Sequence, residues 1–203
     1  MKKILKRIVL CACIAGCVWC WELISDRQTL NKELIRLHVV AASDSEEDQA
    51  IKLRVRDAVI ESISEDLANV ADMEQARAYI LENLPKIQKT ANDTLEALGC
   101  TDEAVATLKE ELFDTRVYDT FTLPAGVYDA LRITIGEGEG KNWWCVAFPT
   151  LCIPATSEGF EEVAAGAGFS ETLTETLEGE YEIRFYLLDL LGRLEGILWN
   201  GEN

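Results

Sequence analysis

The chain has little positive charge and a single histidine. Its 203 residues include 19 Lys and Arg against 36 Asp and Glu, so the formal net charge is −17. A chain this acidic repels phosphate groups, and we therefore expect no nucleic-acid partner. One histidine, His38, and the lack of a C-x-x-C motif outside the N-terminal segment leave too few ligands for a Cys/His zinc site. We expect no metal and no other cofactor.

The motifs of common hydrolases and nucleotide-binding proteins are also missing. No G-x-S-x-G elbow occurs, and the run GEGEGK at 136–141 fails the phosphate-loop frame, because Ile135 and Asn142 occupy the first glycine and the hydroxyl positions. One enzyme hypothesis survives: an extracytoplasmic cysteine hydrolase acting on cell-wall peptide, with Cys145 as nucleophile and His38 as base. It requires the strand with His38 to lie beside the segment with Cys145.

Basic residues are dense at the start of the chain. Four of them lie within the first seven residues, and the apolar run Ile8–Trp21 follows and ends at Glu22. Its 14 residues fit the core of a secretory signal better than a spanning helix of roughly 20 residues, although Leu23 and Ile24 could extend it. We interpret residues 1–24 as a signal peptide or a membrane anchor. The rest of the chain would then lie outside the cytoplasm and associate with the membrane through this segment only.

Cysteine is concentrated in the same segment, which holds four of the seven. The stretch IAGC that ends at Cys17 resembles the lipobox of bacterial lipoproteins, so lipidation of Cys17 is an alternative. In the body, Cys145 and Cys152 form a candidate disulfide. Seven extended steps would separate their Cα atoms by about 23 Å where a disulfide needs about 5.5 Å, so the chain would have to reverse near Phe148 and Pro149. Two free thiols and a catalytic thiol are the alternatives.

Hydrophobic periodicity predicts one α+β domain over residues 33–152. Apolar and polar residues alternate along 33–43, which is typical of a half-buried strand. The capping sequence SDS at 43–45 precedes an amphipathic helix, and a second helical stretch covers about 72–98. From residue 101 onward the pattern changes to strands. We therefore expect two or three amphipathic helices packed on a mainly antiparallel sheet.

Two C-terminal segments follow this domain. Residues 153–180 are rich in Glu, Thr, Ala and Gly and have few large apolar side chains, so we expect a flexible acidic segment. Residues 181–203 regain hydrophobicity, with spacings that suit either a strand or a helix. We expect them to dock on the core and not to enter lipid, because Asp189, Arg193 and Glu195 interrupt the apolar pattern.

The stretch KNWWCVAFPTLC at 141–152 is the best candidate for a binding surface. Adjacent residues of a strand point to opposite sides of the sheet, so Trp143 and Trp144 should face opposite ways, one toward the core and one toward solvent. An outward tryptophan beside a proline turn has the composition of an interface anchor. The partner-binding candidates are Trp143, Trp144, Phe148 and Pro149, with Arg36, Arg54 and Arg56 ranked after them.

Three stretches of the chain resemble one protein family. IRLHVVAASDSEEDQAIKLRVRDAV at 35–59, FDTRVYD around Arg116 and LPAGVYDALRITIGEGEGKNWWCVAFPTLC at 123–152 are similar to stage II sporulation protein R of endospore-forming Firmicutes. The resemblance implies a protein made in the forespore and exported into the space between the two sporulation membranes. There it would activate a membrane-embedded aspartic peptidase, which processes the inactive precursor of sigma-E. The resemblance thus implies a ligand and not an enzyme.

Overall fold

The structure is a computed structural model that describes residues 2–118, 120–149, 157–179 and 182–202. Its helices are α1 (Lys2–Lys32), α2 (Glu46–Ala68), α3 (Met73–Ala97), α4 (Ser157–Gly166), α5 (Glu171–Glu178) and α6 (Glu182–Glu202). Its strands are β1 (Ile35–Val40), β2 (Ala104–Phe113), β3 (Arg116–Val117), β4 (Thr122–Leu123), β5 (Gly126–Ile135) and β6 (Asn142–Phe148). This content of helices and strands confirms the predicted α+β class.

Strand β1 lies inside a four-stranded sheet of order β2-β5-β1-β6, and β3 and β4 form a separate hairpin. It runs parallel to β5 and antiparallel to β6, while β2 is antiparallel to β5, so the sheet is mixed. All six residues of β1 are buried, because helices cover both faces of the sheet. The expectation of a half-buried strand is therefore wrong. The alternation predicted that Arg36 and His38 face solvent, but both are buried, and each has a hydrogen-bond partner inside the structure.

Helices α2 and α3 pack together on the first face of the sheet. The apolar stripe of α2 is buried, as its spacing predicts, at Val55, Val59, Ile63 and Leu67. Ser45 and Asp72 cap the two helices by accepting hydrogen bonds from the backbone N–H three residues further on. Pro85 lies inside α3, which continues through it as one helix. Both helices therefore follow from local sequence signals.

Helices α4 and α5 lie within the segment for which we expected flexibility. Phe160, Leu173 and Leu177 have no exposed surface and belong to the core on the second face of the sheet. Ser170 caps α5 by accepting a hydrogen bond from the backbone N–H of Leu173, and Gly179, with φ of +97°, ends it. The expectation of a flexible segment is therefore wrong for the residues of α4 and α5. Their apolar residues are few, but they share one face.

Helix α6 forms the C-terminal segment and docks on the second face, where Leu188 has no exposed surface. The structure thus decides between the two alternatives in favour of the helix. Asp189 accepts hydrogen bonds from the backbone N–H of Ala125, at 2.8 Å, and from the hydroxyl of Thr115. These bonds fix α6 against the chain on either side of the β3–β4 hairpin.

Helix α1 begins in the apolar N-terminal segment and continues into the body. It is the helix, within the described part of the chain, that is long and apolar enough to cross a membrane, with a mean hydropathy of 2.0 over 18 residues. This is compatible with a signal or an anchor. Trp21 is 74% exposed, whereas Leu23 and Leu30 are buried on the second face of the sheet. The change from apolar segment to body therefore falls inside one continuous helix.

Candidate binding site at the tryptophan pair

Trp143 and Trp144 lie near the start of β6, opposite the end of β1. In the antiparallel register, Val39 pairs with Trp143 and His38 pairs with Trp144. The two indoles pack against the cores on opposite faces of the sheet, as the alternation along a strand predicts. Both are half-buried. The prediction of one core and one exposed tryptophan is therefore wrong.

The Trp143 side is formed with helix α2. The guanidinium carbon of Arg56 lies 4.7 Å from the centre of the Trp143 ring, which is within the range of a cation–π contact. Arg56 also forms an ion pair with Asp57, with 2.6 Å between Nη2 and Oδ1. Arg54, two residues earlier, is exposed. The structure thus brings together Trp143 and Arg56 among the predicted binding residues, and it leaves Arg54 outside their contact.

The Trp144 side is formed with residues of three other strands. His38 of β1 stacks on the indole of Trp144, with 3.8 Å between ring centres. Phe113 of β2 meets the same indole edge-on, with 5.1 Å between ring centres. The guanidinium carbon of Arg116 of β3 lies 4.6 Å from the indole centre. Trp144 is therefore held between elements that are far apart in the sequence, and sequence reasoning missed both Phe113 and Arg116 as its neighbours.

Glu111 of β2 is the carboxylate that engages His38. Nδ1 of His38 lies 2.9 Å from Oε2 of Glu111, and Arg132 donates from Nη1 to the other oxygen at 3.3 Å. Burial raises the pKa of Glu111, but the hydrogen bonds from His38 and Arg132 and the charge of Arg132 outweigh burial, so the net shift of its pKa is downward. Glu111 is therefore ionised and neutralises part of the positive charge on this face.

Arg36 is completely buried. Its Nη2 donates to the hydroxyl of Tyr118 at 2.9 Å. Its guanidinium carbon lies 4.1 Å from the ring centre of Phe113 and 5.1 Å from that of Tyr128. Arg36 therefore lies in the second core and not on the binding surface for which it was a candidate.

Cys145 and His38 lie on opposite faces of the sheet. Cys145 pairs with Leu37 in the β1–β6 register, is 6% exposed and packs in the core below α2 and α3. His38 packs on the other face with Trp144. Because the sheet separates the thiol from the imidazole, the cysteine-hydrolase hypothesis is wrong in the residues it proposed. Within the described ranges, no group of three or more His, Cys, Asp or Glu side chains could hold a metal ion.

Phe148 and Pro149 are described and both are buried, and the peptide bond between them is cis. They therefore pack inside the structure and offer little surface. Cys152 lies outside the described residues, so its disulfide with Cys145 stays a prediction. Cys17 is exposed on α1, and its lipidation likewise stays a prediction.

The glycine run before the tryptophans is explained by close packing. A Cβ on Gly140 would lie 2.2 Å from the carbonyl oxygen of Ser43, and the N–H of Gly140 donates to the carbonyl of Ala41 at 2.9 Å. The N–H of Lys141 donates to the carboxylate of Asp44 at 2.7 Å. These contacts fasten the start of β6 to the loop between β1 and α2. The run thus positions the tryptophan pair.

The sequence of the chain matches a known protein family. The family model of stage II sporulation protein R matches residues 31–158, which include all six strands. Stage II sporulation protein R of Bacillus subtilis strain 168 is 39% identical over 127 residues, which are 63% of this chain and 57% of that protein. The match therefore spans little more than half the length of this curated relative. No solved structure matches the chain.

These matches show that the chain is a sporulation protein. The chain belongs to the stage II sporulation protein R family.

Proposed function

We propose that the chain is an exported signal that binds and activates a membrane-embedded aspartic peptidase, which then processes the sigma-E precursor. Its family supports the sporulation role. The apolar helix α1 supports export, with the body in the space between the two sporulation membranes. Binding is favoured over catalysis because the sheet separates Cys145 from His38.

The observation that carries this proposal is that each tryptophan is half-buried and contacts an arginine. Trp143 with Arg56, and Trp144 with Arg116, offer aromatic surface and fixed positive charge on the two sides of β6. Tryptophan and arginine are enriched among the residues that dominate binding energy at protein interfaces. We call these four residues the Trp–Arg surface and propose that the peptidase contacts it.

The test is to produce the full chain with the peptidase and the sigma-E precursor, and to measure precursor cleavage at limiting amounts of the chain. Trp143→Ala and Arg56→Ala should each reduce cleavage at least tenfold, because losing about 1.4 kcal/mol of binding energy weakens affinity tenfold. Arg54→Ala is the matched control, since Arg54 is exposed on the same helix and lies outside the contact.

Thermal unfolding of each variant separates lost binding from lost folding. A variant that unfolds at the wild-type temperature and loses cleavage supports the proposal. If each of the four residues of the Trp–Arg surface is replaced singly and every variant still supports cleavage at the wild-type level, the proposal is contradicted.

A further inference from the structure

Four residues on the same side of the sheet as Trp144 have buried polar atoms without a hydrogen-bond partner in the described part of the chain. The atoms are Nε and Nη1 of Arg36, Nε2 of His38, Nε of Arg116 and Oγ1 of Thr120. Arg36 and His38 lie on the same face of β1, and Arg116 and Thr120 belong to the β3–β4 hairpin, which packs on that face. Most of these atoms are nitrogens of cationic side chains.

Among the side chains that the structure describes, the cluster also has an excess of positive charge. Among the described residues, neither Arg36 nor Arg116 forms an ion pair, and Glu111 is already engaged by His38 and Arg132. The rings of Phe113 and Trp144 offset part of the cost of burying the two guanidinium groups. Ring contacts leave the N–H groups unsatisfied, and buried donors without acceptors are unfavourable.

We propose that this cluster binds a carboxylate, supplied by an acidic side chain of the partner protein. A carboxylate only accepts hydrogen bonds and can take two from one guanidinium, and the Nε of Arg116 has no hydrogen-bond partner in the described part of the chain. Arg116 is half-exposed and the adjacent Val117 is 80% exposed, so the carboxylate reaches Arg116 from solvent. The buried Arg36 adds attraction without direct contact. That the carboxylate belongs to the peptidase rests on the proposed function; the site itself does not.

The site is tested with the full chain in detergent micelles, titrated with N-acetyl-glutamate amide. NMR signals of the arginine Nε–H and tryptophan indole N–H groups report binding, and N-acetyl-glutamine amide is the neutral control. We expect saturable shifts at Arg116 and Trp144 with the glutamate compound alone. Arg116→Met, which keeps an apolar stem, should weaken binding at least tenfold, whereas Arg54→Met should bind as the wild type does. Equal responses to the two compounds, or unchanged affinity in Arg116→Met, would overturn the site.

Peptidase activation distinguishes the site from the proposed function. If the wild-type chain binds the glutamate compound but activates no peptidase, the proposed function fails and the site stands. If Arg116→Met loses the compound and still activates the peptidase fully, the peptidase is not the source of the carboxylate. Joint loss of compound binding and activation, in a variant with wild-type thermal stability, supports both.

A second inference concerns helix α1 and rests on other residues. Arg27 of α1 occupies a slot that two glycines leave open. A Cβ on Gly126 would lie 1.5 Å from Nη2 of Arg27, and a Cβ on Gly192 would lie 3.0 Å from its Cζ. Arg27 donates to the hydroxyl of Tyr128 at 3.1 Å and pairs with Glu195 of α6 at 2.6 Å. The slot therefore fits a side chain of α1 between β5 and α6.

The preceding residue strengthens this attachment. Asp26 of α1 and Arg184 of α6 form an ion pair in which the side chains are 10% and 8% exposed. Removing one member of a buried pair leaves the other charge buried and alone, which is strongly unfavourable. Leu23 and Leu30 lie in the second core on the same side of α1. Residues 23–32 are therefore packed as part of the folded domain.

We infer that the exported chain keeps residues 23–32, so that any cleavage of the N-terminal segment falls before Leu23. The measurement is the intact mass of the full chain after export in a sporulating host. A mature chain that begins at or before Leu23 is expected. A folded mature chain that begins after Leu23 would overturn the inference.

Limited proteolysis of the full chain gives an independent measurement. Arg27→Met should speed cleavage within residues 23–32 at least tenfold, because α1 then detaches from the slot. Gln28→Met is the matched control, since Gln28 is exposed on the same turn. Equal cleavage rates in the wild type and Arg27→Met would show that the slot does not hold α1.

Discussion

The imidazole of His38 stacks on the indole of Trp144, with 3.8 Å between ring centres and 17° between ring planes. Nδ1 of the same imidazole is held 2.9 Å from Oε2 of Glu111. The stack therefore connects a carboxylate on β2, through the buried middle of the sheet, to the half-exposed side of β6. The geometry of the Trp–Arg surface should depend on the charge of Glu111.

Acid should weaken the fold through Glu111. Its pKa in the folded state lies below the ordinary value of 4.5. Its ionised form therefore stabilises the folded state above that value, and the stabilisation is lost as the pH falls through the lower, folded pKa. At neutral pH, Glu111→Gln should lower the free energy of unfolding by about 1–3 kcal/mol, because His38 and Arg132 lose a charged partner.

Urea unfolding at several pH values between about 7 and 3 checks this, since stability is linked to the pKa difference between the folded and unfolded states. The difference between wild type and Glu111→Gln should shrink as the solution is acidified. Glu110→Gln is the matched control, since the neighbouring Glu110 of β2 is exposed, and it should follow the wild type. A difference that stays constant over this range would contradict the role of the Glu111 charge.

A disulfide between Cys145 and Cys152 is expected in the exported chain, and it requires the chain to reverse near Phe148 and Pro149. Peptide mass mapping without reduction should find the two cysteines linked. Cys100→Ser should leave the linkage intact, because Cys100 follows α3 and is not a partner in this pairing. Free thiols at both Cys145 and Cys152 would refute the pairing.

Alanine at Gly192 should destabilise the fold although alanine is the better helix former. Its Cβ would lie 1.7 Å from the carbonyl oxygen of Ala125, so α6 would have to move away from β5. We expect the free energy of unfolding to fall by about 2 kcal/mol or more, as in other overpacked sites. Chemical denaturation measures this.

Gly166→Ala is the control, because a Cβ there would meet no atom within 4 Å. In a helix such a change ordinarily stabilises by about 0.5–1 kcal/mol. Equal effects at Gly166 and Gly192 would argue against close packing of α6 on Ala125.

Asp189 should be a main anchor of helix α6. Burial raises the pKa of Asp189, but hydrogen bonds from the N–H of Ala125, from Thr115 and from Arg193 lower this pKa by more than burial raises it. The net shift is downward, so the carboxylate is ionised in the folded state. Asp189→Ala leaves the N–H of Ala125 without its acceptor and should cost about 1–3 kcal/mol of unfolding free energy.

Arg193→Ala should change stability little, because Arg193 is an exposed residue whose i,i+4 pair with Asp189 is screened by water. Thermal unfolding of the two variants measures the contrast. If Arg193→Ala proved as damaging as Asp189→Ala, the ion pair, and not the bonds to the hairpin, would anchor α6.

The sequence by itself determined the elements whose signals are local. Ser45 and Asp72 mark the starts of α2 and α3, because a capping side chain bonds to a backbone N–H three residues away. The stripe from Val55 to Leu67 marks the buried side of α2 through its helical period. The opposite orientation of Trp143 and Trp144 follows from the period of a strand. In each case the interacting positions lie within a few residues of each other.

Only the tertiary structure decided what the polar residues of β1 do. Arg36 bonds to Tyr118, 82 positions away, and His38 bonds to Glu111, 73 positions away. No local period relates such residues, because their contact depends on which strands become neighbours. The same holds for the separation of Cys145 from His38, which the β1–β6 register fixes. Helices on both faces enclosed β1, so its alternating polar residues became buried partners and Trp144 became part of their network.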